Sequence, residues 1–432
     1  MTAVAWTIED ALRYLGDRVD FEKMAGSRPA EPTLDRVREL ASYLGDPQHA
    51  QPMVHITGTN GKGSTTALTT ALLAAHNLQV GTFTSPDLET VNERIGRNGE
   101  IITDEQLAAA IGAVAEREAL SGVRPSRFEI LTLAAYHWFA DVAVDVAVVE
   151  VGMAGRWDAT NIGDGVVAVV TNVGLDHTET LGPTREHIAR EKAGIVKKTS
   201  TLVLGETHPP LVEIFEAEGP EATWLRDRDF GVERNVVAVG GRSVDLRTPG
   251  AEYQDVFLSL HGAHQGDNAA CALAAAEAFF GRPLDDDVVR EVFASVTVPG
   301  RFEVVARNPL VILDGAHNPD GARVAAETLR DFSVAGERLL VVGMTGARDP
   351  VEMLEALDAR FARGVIATAA RSPRPLPAAD IAKAAQSLGV DAEVVPDVAH
   401  ALDRAIAIAS EDDLVFVTGS LHVVGEARRS LR

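Results

Sequence analysis

The run His55-Ile-Thr-Gly58-Thr59-Asn60-Gly61-Lys62-Gly63-Ser64-Thr65 carries the most explicit chemistry in the chain. Its glycines allow successive backbone N–H groups to curl around a phosphate, and a helix starting there adds positive potential. Lys62 would neutralise β- and γ-phosphates, and a hydroxyl, Ser64, would ligate Mg²⁺. The spacing departs from the general nucleotide-binding pattern: Gly61-Lys62 coincide with it, and the hydroxyl comes one residue late. A plain glycine turn would explain the glycines alone. The lysine, the serine and the flanking strand and helix together favour phosphate.

Three further groups merit inspection. Glu150 ends the apolar run Val144–Val149 and is followed by Gly152-Met-Ala-Gly155-Arg156-Trp157-Asp158-Ala159-Thr-Asn161. A carboxylate emerging at the carboxyl end of a parallel strand can hold Mg²⁺ against a nucleotide. His177 follows the next apolar run, Val166–Thr171, although in isolation it reads as an ordinary surface or core histidine. Glu191-Lys192 on pattern alone is a solvated face. Cys271 is the only cysteine, so intramolecular disulfides and thiolate metal clusters are excluded; its alanine-rich setting makes it a small buried helix residue.

The elements that would position these groups alternate short apolar runs with helical stretches, as in parallel α/β construction. Met53–Thr57 is a strand, Ser64–Asn77 a helix, and Val144–Val151 a central strand buried on both faces. Asp267 is expected to cap an alanine-rich helix reaching Phe280. After Pro299-Gly300 a second set begins, with strands at Leu310–Leu313, Leu339–Val342, Gly364–Thr368 and Leu414–Thr418. Two domains are expected from 432 residues, with a boundary near residue 297. Residues 205–262 are expected to be strands or loops attached to the first sheet.

The formal charge is −23, so nucleic acid and anionic lipid are unfavourable partners, and an anionic substrate needs locally placed cations. Lysine supplies only Lys23, Lys62, Lys192, Lys197, Lys198 and Lys383 of the 40 basic residues. No uninterrupted apolar run is long enough to span a membrane, and residues 1–15 lack a secretory pattern, so the expected location is the cytoplasm.

Taken in order, several segments resemble the motifs of folylpolyglutamate synthases, within the Mur ligase superfamily. They are Gly58–Ser64, Phe128-Glu129-Ile-Leu-Thr132, Glu150–Asn161, Leu175-Asp-His177, Glu191–Ile195, Gly266-Asp-Asn268, Pro299-Gly-Arg301-Phe-Glu, Asp314-Gly-Ala-His317-Asn-Pro319 and Gly419–Glu426. The resemblance runs from about residue 8 to residue 428. It implies a P-loop ATPase-type, mostly parallel sheet with flanking helices over 1–297, carrying the folate-binding loops. A smaller Rossmann-like α/β domain would follow over 298–432.

The resemblance also implies roles. Gly58, Thr59, Asn60, Gly61, Lys62, Gly63, Ser64 and Thr65 would hold the ATP phosphates. Asn268, Arg301, Asp314 and His317 would contact nucleotide from the second domain. Mg²⁺, two ions in the family, would be bound through Ser64, Glu150, His177 and Lys192, the last as its carbamate. CO₂ adds only to a deprotonated amine, which arginine cannot provide. Lys62, Glu150, His177 and Lys192 would be catalytic. Thr84, Ser85, Pro86, Arg94, Ser126, Phe128, Glu129, Trp157, Asp158 and Ala159 would lie around the pterin. The reaction implied is ATP-dependent ligation of L-glutamate to a folate, or to dihydropteroate, by a monomer.

The chain departs from the family at Asp87 (usually His), Ala154 (usually Gly), Trp157 (usually Leu) and Ala347-Arg348 (usually Asp-Lys). Two rival readings are a peptidoglycan Mur ligase, which needs a UDP-binding domain ahead of the phosphate turn, and a non-catalytic nucleotide-binding partner protein.

Overall fold

A computed structural model describes residues 6–20, 33–176, 178–332, 335–346, 348–372 and 374–432. His177 and Ala347 lie outside the described residues. The chain folds as two compact units, the first comprising Met1–Asn235, Ser243–Phe257 and Gly266–Val296.

The first unit is built on eight strands: β1 (Met53–Thr57), β2 (Val80–Phe83), β3 (Ile95–Arg97), β4 (Glu100–Ile101), β5 (Val146–Glu150), β6 (Gly165–Val170), β7 (Thr201–Leu204) and β8 (Ala222–Leu225). Their order is β4-β3-β2-β5-β1-β6-β7-β8, with β3 and β4 antiparallel and the remaining pairs parallel. Every residue of β1 and β5 is buried, which is why both read as continuous apolar runs. Ile56 of β1 stands level with Glu150 of β5 and Val169 of β6. The turn after β1, the carboxylate ending β5 and the loop after β6 therefore leave the sheet at one carboxyl edge.

Helices Asp104–Ser121 and Arg127–Asp141 bury Leu107, Ile111, Leu133 and Phe139 in one core with Met53, Phe83 and Val149. A second core joins Ile188, Ala189 and Phe215 to Ala168 and Leu202. The helix Lys62–Ala75 begins two residues before the expected Ser64, because Gly61 at φ +84° already turns the chain into it.

Two expectations are corrected. Of segment 205–262 only β8 joins the first sheet; β9 (Gly231–Ala238), β10 (Gly241–Arg247) and β11 (Glu252–Leu258) form a separate three-stranded sheet. Asp267 is not a cap: its helix spans His264–Phe280, and the carboxylate pairs with Arg226 at 2.8 Å.

The second unit comprises Val236–Arg242, Leu258–Gln265 and Thr297–Arg432. Its strands are β12 (Glu303–Arg307), β13 (Leu310–Leu313), β14 (Arg338–Val342), β15 (Gly364–Ala367), β16 (Ala392–Val394) and β17 (Leu414–Thr418). They are ordered β12-β13-β17-β14-β15-β16 and are parallel apart from edge strand β12. Ile312, Leu340 and Phe416 form the centre of its core with Ala325, Leu354 and Ile381 from the helices.

Candidate active site

The turn after β1 is held by the loop that follows β6. Asn172 brackets Asn60, accepting from its N–H at 3.0 Å and donating to its carbonyl at 2.9 Å. Thr171 Oγ1 donates to the same carbonyl at 2.6 Å. Thr59 donates its N–H to Asn172 O at 3.1 Å, and its hydroxyl accepts from Gly174 N–H at 2.9 Å. Lys62 folds back, its Nζ donating to the carbonyls of Gly58 at 3.1 Å and Thr59 at 3.3 Å. The ammonium is thereby held over the turn at the start of a helix, where an anion gains from both charges. A Cβ at Gly61 would overlap the Asn268 carboxamide oxygen, so only glycine admits that side chain. Asn268 belongs to the first unit, not to the second as expected.

Glu150 is buried at the end of β5, and its Oε2 would stand 3.7 Å from a Cβ built at Gly63. The same oxygen accepts from Ser85 N–H at 3.4 Å. Among the described residues the Ser85 hydroxyl is buried with no hydrogen-bond partner, and Ser64 is buried in the first turn of the helix. An orphaned hydroxyl beside a carboxylate and a phosphate turn suits a hard divalent cation, which takes few carboxylates and fills its shell with phosphate oxygens and water. Among the described residues no three His, Cys, Asp or Glu side chains gather as a metal-binding group. Sequence reasoning gave Ser85 to the substrate and missed this second fit; an unpartnered hydroxyl is visible only in three dimensions.

Lys192, in the helix Arg185–Ala193, is 4% exposed. Burial, reinforced by the nearby Lys62 charge, pushes its amine well below the usual lysine range; Asp176 and Asp158 oppose that shift. The segment after Glu150 grips this helix end. Arg156 N–H donates to Glu191 O at 2.7 Å, and Asn161 Nδ2 donates to Arg156 O at 3.0 Å and Gly194 O at 3.1 Å. A Cβ at Gly155 would come within 2.9 Å of Lys192 O, so this glycine is required by close backbone approach.

The expected substrate residues fall into three groups. Thr84 anchors the loop after β2 by donating its N–H to Arg94 O at 2.9 Å, and Arg94 Nε donates to Asp87 Oδ1 at 2.6 Å. Desolvation would raise the Asp87 carboxyl, but the Arg94 charge and hydrogen bond outweigh it and hold the group below its usual range. Ser126 and Glu129 form a capping box: Ser126 N–H donates to Glu129 Oε2 at 2.6 Å, while Glu129 N–H donates back to Ser126 Oγ at 3.3 Å. The Phe128 ring lies against Gly152, where a Cβ would collide with it. Asp158 is buried and accepts from Met153 N–H at 2.8 Å and Thr160 N–H at 3.0 Å. Ala159 is buried beside it, whereas Trp157 is 42% exposed.

In the second unit Asp314 follows β13 and accepts from Ala316 N–H at 2.9 Å and Phe302 N–H at 3.1 Å. Burial raises its carboxyl above the usual range despite the opposing Arg301 charge. His317 Nδ1 donates to Gly315 O at 2.9 Å. Arg301, Asp314 and His317 thus gather at one strand end of that unit.

A glycine turn with a lysine over it, a carboxylate beside it and a buried lysine on a parallel sheet are the arrangement of a nucleotide-dependent ligase of the Mur type. Residues 56–276 match the Mur ligase middle domain and 300–421 the Mur ligase, glutamate ligase domain. A dihydrofolate synthase/folylpolyglutamate synthase of Mycobacterium tuberculosis is 38% identical, over 92% of this chain and 90% of its own. The M. tuberculosis folylpolyglutamate synthase complexed with ADP superposes with a TM-score of 0.91 at 36% identity, over 98% of each chain. A bifunctional folylpolyglutamate synthase/dihydrofolate synthase with Mn, AMPPNP and L-glutamate bound gives 0.85 at 29% identity, over 98% of each chain. The chain belongs to the folylpolyglutamate synthase/dihydrofolate synthase family.

Proposed function

We propose that the chain is an ATP-dependent ligase that adds L-glutamate to folates through an acyl phosphate, and to dihydropteroate as a second acceptor. The observation that carries this reading is the braced turn at 58–65 with Lys62 over it and Glu150 alongside. The turn's N–H groups and Lys62 hold the triphosphate in line with the acceptor carboxylate. A carboxylate oxygen takes the γ-phosphoryl group and ADP leaves. The amino nitrogen of glutamate then attacks the carbonyl carbon, the C–O bond to phosphate breaks, and the nitrogen gives up its proton as the amide forms.

Glu150, with the Ser85 and Ser64 hydroxyls and His177, would hold the divalent cation, which supplies neutralisation of the phosphates. Lys192 fits carbamylation because its amine is held below its ordinary pKa. Conversion to a carboxylate-like group would also replace an unfavourable buried cation with a metal ligand. On this reading 1–297, apart from Val236–Arg242 and Leu258–Gln265, is the ATP-binding domain with the folate loops, and 298–432 carries Arg301, Asp314 and His317, the further nucleotide contacts that the resemblance implies. The protein acts as a cytoplasmic monomer; among the described residues no helix is long and apolar enough to cross a membrane.

Steady-state ADP release tests the function. Release that requires both a pteroate or folate and glutamate supports the ligase. Nucleotide binding without such release would make the chain a non-catalytic partner protein. Side-by-side rates with dihydropteroate and tetrahydrofolate decide the acceptor.

A further inference from the structure

Glu206 lies just beyond β7, outside every motif named above, and its side chain is nearly buried. Its carboxylate is saturated. Oε1 accepts from the N–H groups of Thr207 at 3.1 Å and His208 at 3.0 Å. Oε2 accepts from Val173 N–H at 3.1 Å and from Arg185 at 2.7 Å. Arg185 Nε also donates to Val173 O at 2.8 Å. Val173 is therefore held through both its N–H and its carbonyl by one ion pair.

Val173 is flanked by two of the residues that brace the phosphate turn. Asn172 bonds to Thr59 N–H and to both backbone groups of Asn60, and Gly174 bonds to the Thr59 hydroxyl. A change in either neighbouring peptide would move these contacts together, because Thr59 and Asn60 sit immediately before Gly61-Lys62. We propose that Glu206 and Arg185 are positioning residues for the nucleotide, acting through Val173 on the phosphate turn. This rests on the reading that the turn holds the ATP phosphates. Charge-assisted bonds suit the task, being short and directional, and the guanidinium fork fixes two angles at once.

The test is calorimetric titration of Mg²⁺–AMPPNP into the full-length protein, with no folate or glutamate present. E206Q keeps the shape but places an amide N–H against backbone donors. R185Q removes the fork at a side chain that is 41% exposed, where folding should survive. Both variants are expected to bind the analogue about tenfold more weakly. In steady state the KM for ATP should rise by a similar factor, with the KM values for folate and glutamate within about twofold of wild type. Wild-type analogue affinity in both variants, even with a lowered Tm, would reduce the pair to a structural role and overturn the proposal. Absence of analogue binding by the unmodified protein would instead overturn the phosphate-turn assignment, and this inference with it.

Discussion

Replacing Gly61 with alanine, and making the same change at Gly99, separates two costs at the phosphate turn. Both glycines sit at φ +84°, but a Cβ at Gly99 meets nothing within 4 Å, whereas at Gly61 it overlaps Asn268 Oδ1 and comes within 3.1 Å of Cγ. The left-handed conformation costs alanine about 1–2 kcal/mol. A stiffer unfolded chain returns about 0.4–1 kcal/mol. Gly99→Ala should therefore destabilise by about 1 kcal/mol, a Tm fall of roughly 2 °C for a unit of this size. Gly61→Ala adds the displacement of a buried carboxamide, about 1–3 kcal/mol on the scale of overpacked cores. Its Tm should fall two- to fourfold further, and its affinity for Mg²⁺–AMPPNP by about tenfold or more. Gly99→Ala should bind the analogue like wild type. Adding Asn268→Ala to Gly61→Ala should recover only the overpacking part of the stability loss, without restoring affinity. Differential scanning calorimetry and isothermal titration read both quantities. Equal Tm losses for the two single variants, with analogue affinity intact at Gly61→Ala, would refute the close packing of Asn268 on the turn.

Lys62→Ala should abolish ATP turnover while leaving the fold intact by circular dichroism; normal ADP release would remove Lys62 from the phosphate site. Lys192→Ala should lose ligation and regain part of it when short carboxylic acids are added, because an external carboxylate can take the place of a carbamate; an unchanged rate would exclude the carbamate. His55 is buried and His264 partly buried, and desolvation lowers them to about 3 and about 4. Their folded pKa values lie below the unfolded value, so the folded state binds fewer protons in that interval. Stability should be complete above about pH 6.5 and decline as pH falls towards those values. His55→Gln should flatten the decline in urea midpoints between pH 6.5 and 4, and an unaltered slope would show that His55 does not contribute.

Residue type and spacing made the glycine–lysine turn legible, since Gly61-Lys62 sits between the strand Met53–Thr57 and the helix Lys62–Ala75 as the sequence pattern implies. The central strands were equally legible, because burial on both faces writes a continuous apolar run. Lys192 was not. A Glu-Lys pair on a short helix looks solvated, and its burial comes from Gly155, Arg156 and Asn161 packing from a distant segment. Ser126 and Glu129 suggested substrate contacts by resemblance, yet their three-residue spacing is also the local signature of the capping box they form. Asp267 has the composition of a cap and sits in a first turn, but the ion pair with Arg226 uses its carboxylate elsewhere. Ala154, an alanine where glycine is usual, adopts φ +69°, a left-handed backbone that the substitution alone did not disclose. The clamp at Glu206 had no sequence signal, because four donors converge on it from three separate segments.

Anomalous scattering from a Mn²⁺–AMPPNP co-crystal would decide where the chemistry occurs. The arrangement requires the γ-phosphate seated on residues 58–65 and a manganese peak coordinated by Glu150 and a serine hydroxyl, with density for a CO₂ adduct on Lys192. Phosphates bound away from that turn, or a metal peak remote from Glu150, would contradict it.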